Sequence, residues 1–110
     1  MPERRRFRRI QKRYTVEFRL DGRTCAGFTH NLSAMGLFIC SVSLPKPGTA
    51  LGLRMKIPGH RSILLGVRVV RSYRAPTRLA QFVPSGFCVS LRYAPEEYFR
   101  ILASLLRVAA

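Results

Sequence analysis

Tyr14-Thr15-Val16-Glu17-Phe18-Arg19-Leu20-Asp21-Gly22 alternates apolar and polar side chains and then turns. Tyr14, Val16, Phe18 and Leu20 share one face, and Thr15, Glu17 and Arg19 the other, which is the period of two that a half-buried strand requires. Asp-Gly readily takes the positive backbone dihedrals of a tight hairpin turn. The segment from Arg23 to His30 is therefore expected to return antiparallel to the first strand.

The same pattern continues outward from this hairpin. Asn31 to Gly36 reads as a polar turn, and Leu37-Phe38-Ile39-Cys40 after it as a third strand. Pro45-Lys46-Pro47-Gly48 is a rigid loop. Leu51, Leu53, Met55 and Ile57 then alternate with Gly52, Arg54 and Lys56 in a fourth strand, and Pro58-Gly59 turns the chain again. Ile63, Leu65, Val67 and Val69 share one face of a long fifth strand, whose stripe can extend to Tyr73. A loop from Arg74 to Ser85 leads to a sixth strand marked by Phe87, Val89 and Leu91. Here the period changes. Pro95 suits a first helical position, Glu96 and Glu97 suit a positive helix N-terminus, and Tyr98, Ile101, Leu102 and Leu105 recur at helical spacing. The expected fold is mainly β, an antiparallel barrel or strongly bent sheet of six strands plugged or flanked by one C-terminal helix. The whole chain, 1–110, reads as a single domain with an arm over 1–12, strands over 13–93 and a helix over 95–107.

Charge is the second signal. Twenty Lys and Arg against five Asp and Glu give a formal charge of +15, which attracts polyanions, nucleotides or acidic surfaces by its long-range field. Much of it lies at the front, where Arg4, Arg5, Arg6, Arg8 and Arg9 are interrupted only by Phe7, with Lys12 and Arg13 close behind. Residues 1–12 show no convincing period, so they read as an arm whose conformation depends on what it binds. A guanidinium stays charged at physiological pH and meets phosphate oxygens or a guanine edge as a planar fork. A mobile arm of that kind needs a rigid counter-surface to become a specific site, and the Asn31–Gly36 turn offers one.

Enzymatic chemistry finds little support. His30 and His60 are the two histidines, far apart in sequence and without neighbouring carboxylates, so no metal site is expected. Glu96 and Glu97 read as helix-start residues, Asp21 as a turn residue, Glu17 as a strand-face charge and Glu3 as a partner for the arm, and none makes a catalytic pair. Cys25, Cys40 and Cys88 are an odd set without a Cys-x-x-Cys pair, which argues for reduced thiols rather than a disulfide framework. No signal peptide and no apolar run of spanning length is visible, and the chain reads as cytosolic without a membrane span.

With both stretches in view, the chain resembles the PilZ domain, a bacterial receptor module for cyclic di-GMP. That family carries Arg-x-x-x-Arg in a flexible N-terminal segment and, further on, Asp/Asn-x-Ser-x-x-Gly at a strand connection. The second motif stands complete as Asn31-Leu32-Ser33-Ala34-Met35-Gly36. Arg4/Arg8, Arg5/Arg9 and Arg9/Arg13 all satisfy the first. Arg5 and Arg9 are chosen because Glu3-Arg4-Arg5-Arg6-Phe7-Arg8-Arg9-Ile10 looks like the family's run of arginines, a variable pair, an arginine and a β-branched residue. Gly36-Leu37-Phe38-Ile39, Gly66-Val67-Arg68-Val69-Val70 and Gly86-Phe87-Cys88-Val89 are further matches.

The resemblance implies a six-stranded antiparallel β-barrel with a C-terminal helix and a non-enzymatic receptor that needs no cofactor. Its ligand would be cyclic di-GMP, held by Arg4, Arg5, Arg9, Asn31, Ser33 and Gly36. It also implies a downstream protein partner, and Arg4 in particular resembles cases with two intercalated ligands and a ligand-linked dimer in place of a monomer. Two other readings of the charge and barrel stand beside it: a nucleic-acid-binding β-barrel, motivated by aromatics such as Phe7, Tyr14 and Phe38, and a ligand-independent adaptor that binds only protein.

Overall fold

The computed structural model describes residues 8–82 and 84–109, with the side chains of the last two helical residues left aside. In chain order the elements are β1 (Ile10–Gln11), β2 (Thr15–Leu20), β3 (Arg23–Leu32), β4 (Gly36–Cys40), β5 (Ala50–Lys56), β6 (Ile63–Tyr73), a 3-10 turn (Thr77–Leu79), β7 (Gly86–Tyr93) and the helix α1 (Glu96–Ala109). All pairings are antiparallel. Six strands close a ring in the order β3-β2-β5-β6-β7-β4, and β4 returns to β3. The expected barrel and C-terminal helix are therefore present, with one addition. β1, within the segment expected to be an arm, pairs Ile10 with Leu32 and Gln11 with Asn31. It continues along the edge of β3 that β2 occupies up to Phe28.

The hairpin that opens the barrel forms as the sequence requires. Asp21 and Gly22 both hold positive φ, 52° and 78°, and Leu20 faces Arg23 across the turn. Alternation then sets the core. Val16, Phe18, Leu53, Met55, Leu65, Val67, Leu37, Ile39, Phe87 and Val89 point inward and are buried. Phe18 and Phe87 meet edge to face across the barrel at 5.3 Å. Burying each such side chain is worth about 1.5–3 kcal/mol, and this shared interior holds the ring closed.

Three details depart from the sequence reading. Asn31 and Leu32 belong to β3 rather than to the turn, because the strand runs on between β1 and β4. The stripe on β6 ends at Val69, where the register against β7 shifts before Arg71, and Tyr73, to which the stripe was expected to extend, is exposed. In α1, Tyr98 and Leu102 are buried against the barrel, whereas Ile101 and Leu105 are only half-buried. No helix among the described residues is long and apolar enough to cross a membrane.

Candidate functional site

The Asn-x-Ser-x-x-Gly residues gather where β3 ends and β4 begins. A bulge shapes this end: Thr29 pairs with Ile39 and Asn31 with Phe38, so His30 has no partner of its own on β4. The extra residue lets the buried Thr29 and the half-exposed Asn31 face different surroundings. His30 lies exposed, with its ring edge to face on Phe38 at 5.8 Å.

Arg9 directly precedes β1, whose antiparallel register carries it back over the end of β3. Its Nη1 donates to Asn31 Oδ1 at 2.6 Å. One arginine of the arm and the first residue of the turn motif are thus already in contact. Arg13 goes elsewhere, with its guanidinium 3.8 Å from the centre of the Phe28 ring. Arg4 and Arg5, also expected at the site, lie outside the described residues.

Ser33 is buried and its hydrogen-bonding capacity is directed inward. Its Oγ accepts from the Met35 and Gly36 N–H groups, each at 3.2 Å, and donates to the Gly36 carbonyl at 3.2 Å. The Ser33 N–H donates to that same carbonyl at 2.9 Å. These are the bonds of a side-chain-stabilised turn. Gly36 is constrained from the other side: a Cβ there would stand 2.2 Å from the Val89 carbonyl oxygen of β7. Close approach by a neighbouring strand therefore demands glycine at this position.

Two residues that sequence reading does not place at the site complete the arrangement. Tyr98 Oη, from α1, donates to the Ser33 carbonyl at 2.7 Å. Burial pushes the Tyr98 phenol well above its ordinary pKa, partly countered by the nearby Arg9 charge. Thr29 pins the segment between β1 and β2: its Oγ1 accepts from the Tyr14 N–H at 2.8 Å and donates to the Lys12 carbonyl at 2.5 Å. The signal for Tyr98 was its helical stripe, which marks it as core and says nothing of its hydroxyl. Thr29 carried no signal beyond its place in a strand.

The structure thus brings together Arg9, Asn31, Ser33 and Gly36, with a cationic group outermost and a hydrogen-bonded turn beneath it. Such an arrangement suits a polar, anionic ligand with hydrogen-bonding edges. Of the aromatics considered for base stacking, Tyr14 is buried, Phe38 is half-buried under His30, and Phe7 lies outside the described residues. Among the described residues no group of three or more His, Cys, Asp or Glu side chains could hold a metal ion.

Similar proteins share this architecture. The Bacillus subtilis inhibitor of motility (MotI/DgrA) superposes with a TM-score of 0.79 at 17% identity, over 98% of this chain and 52% of its own. The present chain thus spans about half of that protein. The PilZ domain with c-di-GMP of Escherichia coli YcgR gives 0.77 at 16% identity, covering 97% of this chain and 95% of the other. The PilZ domain of CeSA from a cellulose-synthesizing bacterium gives 0.62 at 17% identity, with 94% and 99% covered. Likeness at such identities shows a common fold. A comparison with curated protein sequences finds no match. The sequence model of the PilZ domain, however, matches residues 3–106, nearly the full length. On that match and on the closed barrel with its Asn31–Gly36 motif, the chain belongs to the PilZ domain family.

Proposed function

We propose that this PilZ domain is a receptor and adaptor for cyclic di-GMP, which closes the arginine arm over the end of β3 and passes the bound state to a partner protein. The observation that carries the reading is the 2.6 Å hydrogen bond from Arg9 to Asn31. It sets the cationic fork of the arm beside the carboxamide of the turn motif, the two kinds of group that a polar, anionic ligand would engage. The c-di-GMP in the YcgR domain, a structure of the same fold, supports the choice of ligand.

Cyclic di-GMP presents two phosphates and two guanines. Arg9 and Arg5 would pair with phosphate oxygens or with guanine O6 and N7, and the Asn31 carboxamide would take a further guanine edge. Arg4 would add a third fork, suited to a second, intercalated ligand and to a ligand-linked dimer. Ser33 and Gly36 act one step removed: Ser33 holds the turn, and Gly36 lets β4 lie close to β7. Chemistry on the ligand is not part of the reading, since binding alone accounts for these groups.

Calorimetric titration with cyclic di-GMP, with GTP and a short single-stranded oligonucleotide as controls, tests this. Selective binding is expected, and Arg5→Ala/Arg9→Ala should abolish it while leaving the melting temperature nearly unchanged, because Arg9 is exposed. Heat from the oligonucleotide and none from the dinucleotide would replace the reading with a nucleic-acid arm. Silence from both would leave a protein-only adaptor.

A further inference from the structure

A concave surface lies outside the Asn31–Gly36 turn. It is a cleft of about 590 Å³ between α1, the β5–β6 turn and the segment joining β1 to β2, and none of Arg9, Asn31, Ser33 and Gly36 lines it. Its floor is apolar, built from the buried Tyr14, Ile57 and Ile63 together with Ile101 and Leu105. Its rim carries four exposed cations, Lys12, Arg13, Arg61 and Arg100, against the Glu97 carboxylate; Arg100 also pairs with Glu96 on the same helix, and the Arg13 guanidinium lies on the Phe28 ring.

The helix explains why the cleft exists. Tyr98 and Leu102 are buried where α1 sits on the barrel, and the apolar stripe continues round to Ile101 and Leu105, which pack against the core on one side and stay half-exposed on the other. With Glu97, Arg100 and Ser104 these two make one face at helical spacing, and that whole face lines the cleft. A half-exposed apolar stripe rimmed mainly by cations suits a surface that receives another element.

We infer that this cleft docks an acidic amphipathic segment of a partner protein, with apolar side chains on the Tyr14–Ile101 floor and carboxylates against the Lys12, Arg13, Arg61 and Arg100 rim. The inference rests on the adaptor half of the function proposed above and names the surface that half requires. Charge selects the occupant. A second copy of this chain brings twenty Lys and Arg against five acids, and its arginine-rich N-terminal segment would be repelled by the rim. An anionic bilayer satisfies the rim but, being flat on this scale, leaves the floor of a concave site unfilled. An acidic helix satisfies both.

The test uses the full chain without cyclic dinucleotide, so that its failure and a failed ligand titration are separate results. The probe is a synthetic amphipathic peptide of Glu and Leu, roughly 15 residues long so that a helix can hold. A shuffled peptide of the same composition, whose Glu and Leu no longer segregate, is the control. NMR chemical-shift mapping should confine the changes to the cleft, and the shuffled peptide should bind at least about tenfold more weakly, because only the ordered one presents an apolar face. Arg61→Glu/Arg100→Glu, at two exposed positions whose retained fold the same spectra report, should weaken binding by about tenfold or more. Equal binding of the shuffled peptide, shifts spread over the basic surface or centred on Asn31, or an unaffected variant would each overturn the inference. So would a preference for phosphatidylglycerol vesicles over the peptide, or a dimer that shields the cleft.

Discussion

Tyr98 ties the helix to a turn 65 residues earlier, and it does so only while its phenol keeps its proton. Burial raises that pKa, so the folded protein holds the proton more tightly than the unfolded chain. The stability this contributes is complete below the ordinary phenol pKa of about 10 and drains away as the pH climbs through the folded value. Tyr98→Phe removes the donor and strands the buried Ser33 carbonyl. It should cost about 1–3 kcal/mol at neutral pH and should flatten the alkaline decline, with Tyr14 and the Cys40 thiol, whose pKa values burial also raises, contributing to what remains. Denaturant melts at neutral and alkaline pH measure both effects, and an unchanged pH dependence in the variant would refute the assignment. Ser33 shows where sequence reading stops. Its place in Asn31-x-Ser33-x-x-Gly36 is plain from spacing, but whether its hydroxyl faces a ligand or its own turn depends on burial, which a linear motif does not encode. Here it faces the turn.

Among the elements, β4 has the least room. Gly36 lies against the Val89 carbonyl on β7, and a Cβ at Gly86 would come within 2.1 Å of the Ile39 carbonyl on β4. Gly36→Ala forces the two strands apart and should destabilise the protein by about 1–3 kcal/mol or more. Gly52→Ala, on β5 with nothing within 4 Å of the added carbon, is the control and should be neutral or slightly stabilising. Paired denaturant titrations compare them; equal stabilities would remove close approach as the reason for the glycine. If dinucleotide binding also weakens in Gly36→Ala, the cause is the loosened barrel and not a blocked ligand. The strands with clean alternation, β2, β5 and β6 as far as Val69, were legible because period two is a local property. β1 was not, because two residues beside a run of arginines carry no period, and only the edge of β3 makes them a strand. The end of β3 was misread for a related reason: asparagine favours turns in isolation, whereas Asn31 is paired on both sides.

On the scale of the whole molecule, a charge of +15 draws any polyanion, so affinity by itself identifies no ligand. Salt separates the cases. Binding of a long oligonucleotide neutralises many phosphates and should fall steeply, by orders of magnitude, between about 50 and about 200 mM salt, whereas a ligand with two phosphates should lose far less. Parallel titrations at the two salt concentrations read this directly, and an equally steep loss for cyclic di-GMP would point to simple charge attraction. The closed ring also bears on how the chain comes to be made. β4 sits between β3, its neighbour in sequence, and β7, which follows it only after β5 and β6. During synthesis the outer edge of β4 and the apolar faces of the earlier strands therefore wait, unsealed, until residues 86–93 have left the ribosome. The barrel closes only with the last of its strands, and until then the nascent chain presents a sticky edge that a chaperone, or a second nascent chain, can reach first.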